Sequence, residues 1–352
     1  MIILSVLIVG GGLSGICLGH TLEQQNIDFK IIDCNQNHSS KVAAGMINPM
    51  TFRRMIKSWK ADELIPFLNQ FYAQVEEKIE EKFLFPIRLR RAFASEHERA
   101  LWIERLNNPQ YANFVNPIER SETTPNYLKD NFGNAFISTP GYIDAKTFME
   151  ANHRYFIQKD CLQYDNFDYS ALDVENKTYD SKAYTQLVFA EGFQGEDNPF
   201  FGYLPFKNAK GEVLTINSSD FREDEILNRK CFVLPTKNGD FKLGSTYAWD
   251  TKSTEPTQGA REALLERYEG LSTAIIEVVG HEAGIRPTAA DRRPMLGEHP
   301  QYKDLFIFNG LGAKGYMLAP YFADAFVKYL MGKAPLDKEV DIQRFYKKHF
   351  KK

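Results

Sequence analysis

Apolar and polar positions follow two different rhythms along this chain. Ile2 to Val9 is an apolar run rich in Ile and Val, which predicts a strand buried in a parallel sheet. Ser14 to Glu23 reads as a helix with small residues near its start, and Phe29 to Asp33 as a second strand. Together they form a compact βαβ unit. Lys41 to Arg54 is mostly loop, holding an Ala-Ala-Gly turn and Asn48-Pro49. Ala61 to Lys82 has helical spacing of Leu64, Phe67, Leu68, Phe71, Val75 and Ile79. Phe83 to Phe93 reads as strand. Ser95-x-x-Glu98 is a capping box opening the helix that carries Leu101, Trp102 and Leu106.

Gly141 to Asp144 precedes a helix through Phe148 and Tyr155, and Leu187 to Ala190 is a short buried strand. From Lys210 to Trp249 the rhythm changes to alternation punctuated by glycines, which predicts antiparallel sheet. Pro256 to Leu271 is a helix, Leu305 to Phe308 a parallel-type strand, and Pro320 to Met331 the last clear helix. A basic tail, Lys347 to Lys352, follows. The pattern implies an α/β fold with an α+β second domain, discontinuous in sequence. Residues 1–58, 136–200 and 283–352 are assigned to a Rossmann-like domain, and 59–135 and 201–282 to an antiparallel-sheet domain.

Composition narrows the class. The 352 residues are 43% hydrophobic, enough for two cores. A net charge of −3 is not that of a dedicated nucleic-acid binder. Four scattered cysteines without a CxxC pair suggest neither a zinc site nor a disulfide framework. The seven histidines form no HxxxH or HxH pattern, so no metal is expected. The apolar start lacks a basic flank and is too short to span a bilayer; a cytoplasmic protein without membrane partners is expected.

The first strand runs into Gly10-x-Gly12-x-x-Gly15. Gly10 permits a tight turn, Gly12 lets backbone approach a pyrophosphate, and Gly15 lets helix and strand pack closely. Leu13 and Ser14 open the helix, and Asp33 ends the next strand, where an acid accepts hydrogen bonds from ribose hydroxyls. An adenine dinucleotide is expected. Whether it is FAD or NAD the motif leaves open. A second cluster, Gly310-x-Gly312-x-x-Gly315, also follows an apolar run and precedes a helix, but no further strand and acid follow it. A second dinucleotide site is therefore not expected.

Six segments, in order, carry a resemblance: GGGLSGICLGHTL, SSKVAAGMINP, GYIDAKTF, KLGST, GIRPTAADRRPMLG and NGLGAKGYMLAP. Together they resemble the D-amino acid oxidase superfamily over nearly the whole chain. Within it the chain is similar to glycine and sarcosine oxidases and to the oxidase domain of the tRNA wobble-uridine modification enzyme. The resemblance implies FAD, an FAD domain with the Rossmann-like sheet, and an antiparallel sheet over the flavin. It assigns to the cofactor Gly10, Gly12, Leu13, Ser14, Gly15 and Asp33; Ser39, Ser40, Lys41, Ala44, Gly45 and Met46; Gly192; and Gly312, Ala313, Lys314, Gly315, Tyr316 and Met317. The late glycine cluster would then meet the flavin ring of the same FAD. Gly310 to Pro320 contains neither Cys nor His, so that FAD should be noncovalent. Ala313 stands where glycine oxidases have an arginine, and GLGAKG is closer to the wobble-uridine enzyme.

The resemblance also implies two catalytic residues. Arg286 matches the arginine that forks onto a substrate carboxylate. Lys242 resembles the lysine near flavin that promotes reaction with oxygen. Tyr247, Trp249 and Tyr316 are candidate pocket walls, Arg53 and Arg54 candidate anion contacts, and Arg292 and Arg293 surface or cofactor-edge charges. The implied activity is oxidation of the C–N bond of a small amino acid or secondary amine by hydride transfer to flavin N5. The imine is then hydrolysed and electrons pass to oxygen or another acceptor. Two alternatives stand beside it: an oxidase that trims the carboxymethylaminomethyl group of tRNA, and a non-catalytic flavin-binding subunit.

Overall fold

The computed structural model describes residues 5–36, 39–138, 141–249 and 251–350; Met1 to Leu4, the start of the first apolar run, and Lys351–Lys352 of the basic tail lie outside the described residues. Two large sheets organise them. The first has six strands in the order Leu162–Tyr164, Asp28–Asp33, Ser5–Val9, Gln186–Phe189, Leu305–Asn309 and Met295–Glu298. Its neighbours pair in parallel except the last two, which are antiparallel. Ile8, Ile31, Leu187, Val188 and Phe308 are fully buried, as the continuous apolar runs require.

Helices Leu13–Gln24, Ala61–Ile79, Ala145–Gln158 and Gly315–Leu330 share one hydrophobic core with this sheet. A second apolar cluster, containing Phe201, Phe206, Ile307 and Phe345, lies with Phe189 and Leu187. The order in which strands are added reverses between the parallel strands Ser5–Val9 and Gln186–Phe189. In open α/β sheets such a switch point leaves a crevice beyond the carboxyl ends of the strands. Gly10 to Gly12 and Ala190 to Gly192 begin there.

The second sheet has nine strands among the described residues. Its order is Ala248–Trp249, Ala209–Asn217, Phe241–Gly244, Cys231–Pro235, Glu225–Arg229, Arg88–Ala92, Asn134–Ile137 and Val115–Ile118, with Glu277–Arg286 pairing along the other side of Ala209–Asn217. The strands are antiparallel except where Glu225–Arg229 meets Arg88–Ala92. Helix Gln258–Glu269 packs Leu264 and Tyr268 onto it with Leu214, Val233 and Leu243. The architecture is thus α/β with an α+β second part, a Rossmann-like sheet beside an antiparallel one.

Several elements differ from the sequence expectation for identifiable reasons. The strand expected over Phe83 to Phe93 is two, Leu84–Phe85 and Arg88–Ala92, separated at Pro86, which has no N–H for a ladder. In the capping box, Ser95 accepts from Glu98 N at 3.2 Å, but the Glu98 carboxylate reaches Ala94 N and Arg91 instead of Ser95 N. Ser39–Val42 forms a short helix within the expected loop. The ten-residue strand Glu277–Arg286 was not expected, because EVVGHEAGIR alternates poorly. It is a sheet edge, where polar residues and glycines are tolerated.

The last long helix starts at Gly315, five residues before Pro320, where the sequence pattern places its start. Pro320 therefore lies inside it and cannot donate to the Tyr316 carbonyl. The buried Tyr72 hydroxyl donates to that oxygen instead, at 2.8 Å. Tyr72→Phe should leave a buried carbonyl unsatisfied and lower stability by about 1–3 kcal/mol. Urea unfolding followed by circular dichroism would measure this; an unchanged midpoint would show that Pro320 needs no such substitute.

Candidate active site

One cavity of ≈ 630 Å³ lies between the two sheets and is lined by residues from both ends of the chain. This is within the roughly 300–1,000 Å³ of small-molecule and cofactor sites. At the first glycine loop, Gly10 has φ +107, and a Cβ there would sit 2.5 Å from Ala190 O. A Cβ on Gly15 would sit 2.0 Å from Gly10 O, so only glycine lets this helix approach the loop. Asp33 Oδ1 accepts from Gly11 N at 3.0 Å, and His153 Nε2 lies 2.7 Å from Gly11 O. His153 in turn contacts Tyr164 Oη at 2.8 Å. This support was not legible in the sequence, since His153 is simply one inward position of a helix.

The segment after the acid fastens the cavity wall. Ser40 Oγ accepts from Leu13 N at 3.0 Å, in the first turn of the first helix. Ser39 Oγ donates to Ile285 O at 2.6 Å and accepts from Ile285 N at 3.1 Å. A single hydroxyl so satisfies both polar groups of a residue on the edge strand. Gly45 has φ +67 with Ile143 O beside it, and Met46 bridges to Tyr142.

The late cluster arrives at the same place. Gly312 has φ +59, and a Cβ on Gly315 would meet Leu13 Cδ2 at 3.0 Å. The starts of helices Leu13–Gln24 and Gly315–Leu330 are therefore adjacent, and neither is capped by a side chain at its N-cap residue. Two helix N-termini thus face one cavity, an arrangement that favours negative charge. Lys314 donates to Asn48 O at 3.1 Å and also to Ser58 Oγ, which ties this loop to residues 48–58. Burial lowers its pKa to about 8. The Tyr316 hydroxyl is used within the protein, donating to Ser40 O at 2.8 Å.

The other wall is the antiparallel sheet. Gly211, Val213, Phe232, Gly284 and Arg286 line the cavity from it. Arg286 Nη1 donates to Thr246 O at 3.1 Å and Lys210 O at 3.4 Å, and Nη2 to Ser245 Oγ at 2.9 Å. Its guanidinium stands 4.1 Å from the Tyr247 ring centroid. Burial lowers its pKa, and among the described residues no carboxylate acts on it. A Cβ on Gly211 would lie 2.1 Å from Nη2, so the guanidinium occupies the space a side chain would fill.

Of the residues expected at the site, Gly10, Gly12, Leu13, Ser14, Asp33, Ser39, Ser40, Ala44, Gly45, Met46, Gly192, Gly312, Ala313, Lys314, Gly315, Tyr316 and Arg286 line this cavity. Gly15, Lys41, Met317 and Lys242 are not among its lining residues. Gly15 is a packing position, Lys41 lies on the short helix, and Met317 is buried in the core. Lys242 sits behind the wall, Nζ donating to Ala43 O at 3.3 Å, and burial lowers its pKa. Tyr247 lines the cavity; Trp249 does not. Arg54 is exposed, and the Arg53 side chain lies outside the described residues. Arg293 pairs with Glu339 and covers the Trp59 ring. Gly211, Val213, Phe232 and Ser245 were missed. Their only signal was the alternation that puts Gly211 and Val213 on one face.

These features fit an adenine dinucleotide: a glycine turn, an acid behind it, and two helix starts without a side-chain cap from their N-cap residues on one continuous cavity. The profile described as DAO, FAD dependent oxidoreductase, matches residues 5–329. The chain belongs to this FAD-dependent oxidoreductase family. It is 23% identical over 337 residues to glycine oxidase of Bacillus subtilis (strain 168), covering 89% of each protein. It is 22% identical over 333 residues to the tRNA 5-methylaminomethyl-2-thiouridine biosynthesis bifunctional protein MnmC of Legionella pneumophila (strain Corby), covering 86% of this chain and 47% of that protein. Among solved structures it resembles glycine oxidase from Bacillus cereus ATCC 14579, with TM-score 0.79, 19% identity, and 94% and 96% of the two chains covered. FAD is accordingly the cofactor of this family member. Among the described residues no cluster of His, Cys, Asp or Glu could hold a metal, and no helix is long and apolar enough to cross a membrane.

The Gly211 contact makes a direct test. Gly211→Ala should displace the guanidinium while leaving the glycine loops intact. Affinity for a carboxylate such as acetate should fall about tenfold or more, with FAD content unchanged. Calorimetric titration beside flavin absorbance reads both; undiminished acetate affinity would show that the guanidinium tolerates the methyl group.

Proposed function

We propose that this protein oxidises the C–N bond of a small amino acid or secondary amine bearing a carboxylate. The observation that carries this reading is Arg286, a cation on the cavity wall with no acid beside it among the described residues. Such a group is most stable once an anion arrives, and a guanidinium forks onto a carboxylate through two charge-assisted bonds. The Ser245 hydroxyl, the Thr246 and Lys210 carbonyls and the Tyr247 face fix the fork before the substrate enters, so little orientation is lost on binding. Val213 and Phe232 supply an apolar floor that excludes water around the reacting carbon.

Under this reading Gly10, Gly12, Ser40 and Asp33 hold the adenosine and pyrophosphate side of FAD, and Gly312 to Tyr316 the flavin side. The absence of Cys and His from Gly310 to Pro320 supports noncovalent binding. FAD, when bound, supplies a two-electron acceptor for hydride loss from the carbon next to nitrogen. Lys242 acts through the Ala43 carbonyl, as a positioning residue. The division of the chain proposed from its pattern is changed in two respects: helix Ala61–Ile79, whose Leu64, Leu68 and Tyr72 share the core of the first sheet, goes with the cofactor domain, and residues 136–137 and 283–286, paired in the second sheet, go with the sheet domain.

The test is anaerobic bleaching of the flavin by glycine, N-methyl amino acids and D-amino acids. At least one should bleach it, and Arg286→Gln should lower kcat/KM by about 10²- to 10³-fold, the scale of removing one partner of a buried charge pair. No bleaching by any of them would sink this reading and favour a non-catalytic flavin subunit.

A second reading, removal of a carboxymethylaminomethyl group from tRNA, is supported by the GLGAKG segment and the similarity to MnmC. It predicts tRNA binding that weakens at least tenfold between about 50 and 200 mM salt. A filter-binding assay showing no tRNA retention at the lower salt would exclude it.

A further inference from the structure

The strand Ala209–Asn217 has an irregular partner beside Arg286. Val213 pairs with Gly244 and Lys210 with Ala248, so the two residues Gly211 and Glu212 face the three residues Ser245, Thr246 and Tyr247. One extra residue on one strand of an antiparallel pair is a bulge, and a bulge re-aims the groups it carries. This one delivers three of the groups that hold Arg286: the Ser245 hydroxyl, the Thr246 carbonyl and the Tyr247 ring.

The Thr246 side chain makes that delivery possible. In a regular antiparallel pair two facing residues exchange both N–H···O=C bonds. Thr246 and Glu212 make only one of them, Thr246 N donating to Glu212 O at 3.2 Å. Glu212 N donates instead to the Thr246 hydroxyl, at 3.0 Å. The hydroxyl takes the place of the residue's own carbonyl, and that carbonyl accepts from Arg286 Nη1 at 3.1 Å. Glu212 is 2% exposed, so its N–H must find an acceptor within the protein. Without the hydroxyl it would compete with the guanidinium for the Thr246 carbonyl.

Glu212 is itself fixed. Its carboxylate accepts from Thr257 N at 2.8 Å and Thr257 Oγ1 at 2.9 Å, at the start of helix Gln258–Glu269. Arg267 of the same helix donates to Ser245 O at 3.2 Å. The carbonyls of Ser245 and Thr246 thus each serve a guanidinium, one on the helix and one at the cavity. Thr246 is buried and is not among the residues that line the cavity, so it reaches a ligand only through Arg286.

We propose that Thr246 is a positioning residue for carboxylate recognition: its hydroxyl substitutes for its carbonyl on Glu212, and the carbonyl so released keeps the Arg286 fork aimed into the cavity. The proposal rests on the reading of Arg286 as the group that receives the substrate carboxylate.

The experiment titrates acetate calorimetrically into the FAD-loaded full chain carrying Thr246→Val, Thr246→Ser or Arg286→Gln. Thr246→Val keeps the shape and removes the acceptor. It should weaken acetate binding about tenfold at unchanged FAD content, and Thr246→Ser should retain most of the affinity. With an amine that bleaches the flavin, the valine variant should raise KM by a similar factor and leave kcat nearly unchanged, as loss of uniform binding does. Thr246→Cys, whose sulfur accepts only weakly, takes its place should the valine variant not hold FAD. Wild-type acetate affinity in the valine or cysteine variant overturns the proposal. Equal weakening by valine and serine overturns it too, since the effect would then belong to packing. Acetate affinity unchanged in Arg286→Gln would overturn the reading of Arg286, and the proposal with it.

Discussion

An arginine facing a cavity, with no acid beside it among the described residues, is the constraint around which this site is organised. Arg286 stays charged even when burial lowers its pKa, because a guanidinium does not lose its proton in a protein. The protein offsets the desolvation with dipoles instead of a countercharge: two carbonyls, one hydroxyl and the face of Tyr247. None of these neutralises the charge. A carboxylate partner would have satisfied the arginine and removed any reason for a ligand to bind. Gly211 follows from the same requirement, since the strand facing the guanidinium must lack a side chain.

The cofactor side is governed by backbone in place of side chains. Helices from the two ends of the chain start beside each other, with Gly315 against Leu13. That closeness depends on glycine at the Gly10–Gly15 contact and on a substitute for the hydrogen bond Pro320 cannot make. It depends equally on residues 39–46, where Ser40 meets the first helix and Ser39 the edge strand. One short stretch thus joins the cofactor helix to the strand that ends in Arg286. A shift of the first helix would be transmitted to the guanidinium through two hydroxyls.

Much of the first sheet was legible because a strand buried on both faces must be continuously apolar, and a glycine turn between strand and helix has few other uses. Ser5–Val9, Leu13–Gln24 and Asp28–Asp33 leave that signature. Of the antiparallel pieces from Ala209 to Gly244, Ala209–Asn217, Cys231–Pro235 and Phe241–Gly244 were legible by alternation, and Glu225–Arg229 was not. Glu277–Arg286 was not, because an edge strand covered partly by Ser39–Val42 needs neither rhythm. Arg286 could be found only by its motif; its carbonyl partners and Gly211 belong to a register, and register is not written in local sequence. Lys242 was legible by alternation and motif, but its partner was not. Alternation puts Lys242 on the face of Gly244, and its ammonium donates to the carbonyl of Ala43, a residue of the cavity wall, a link that local sequence does not show.

The two walls therefore respond differently to substitution. A wall made of glycine turns, helix starts and backbone carbonyls offers a ligand groups every residue possesses, so its sequence can change widely provided the glycines remain. The sheet wall presents side chains to the cavity, among them Val213, Phe232, Tyr247 and Arg286, so a single change there alters its shape. A chain with 23% identity to a glycine oxidase can keep the cofactor wall and still differ in substrate. Ala313 and Lys314 illustrate the boundary between the two. Ala313 sits on the cofactor loop and presents no charge to the cavity. The Lys314 ammonium is turned onto Asn48 and Ser58, where it fastens the loop. On the sheet wall, Arg286 has no acid beside it among the described residues and stands under the Tyr247 ring.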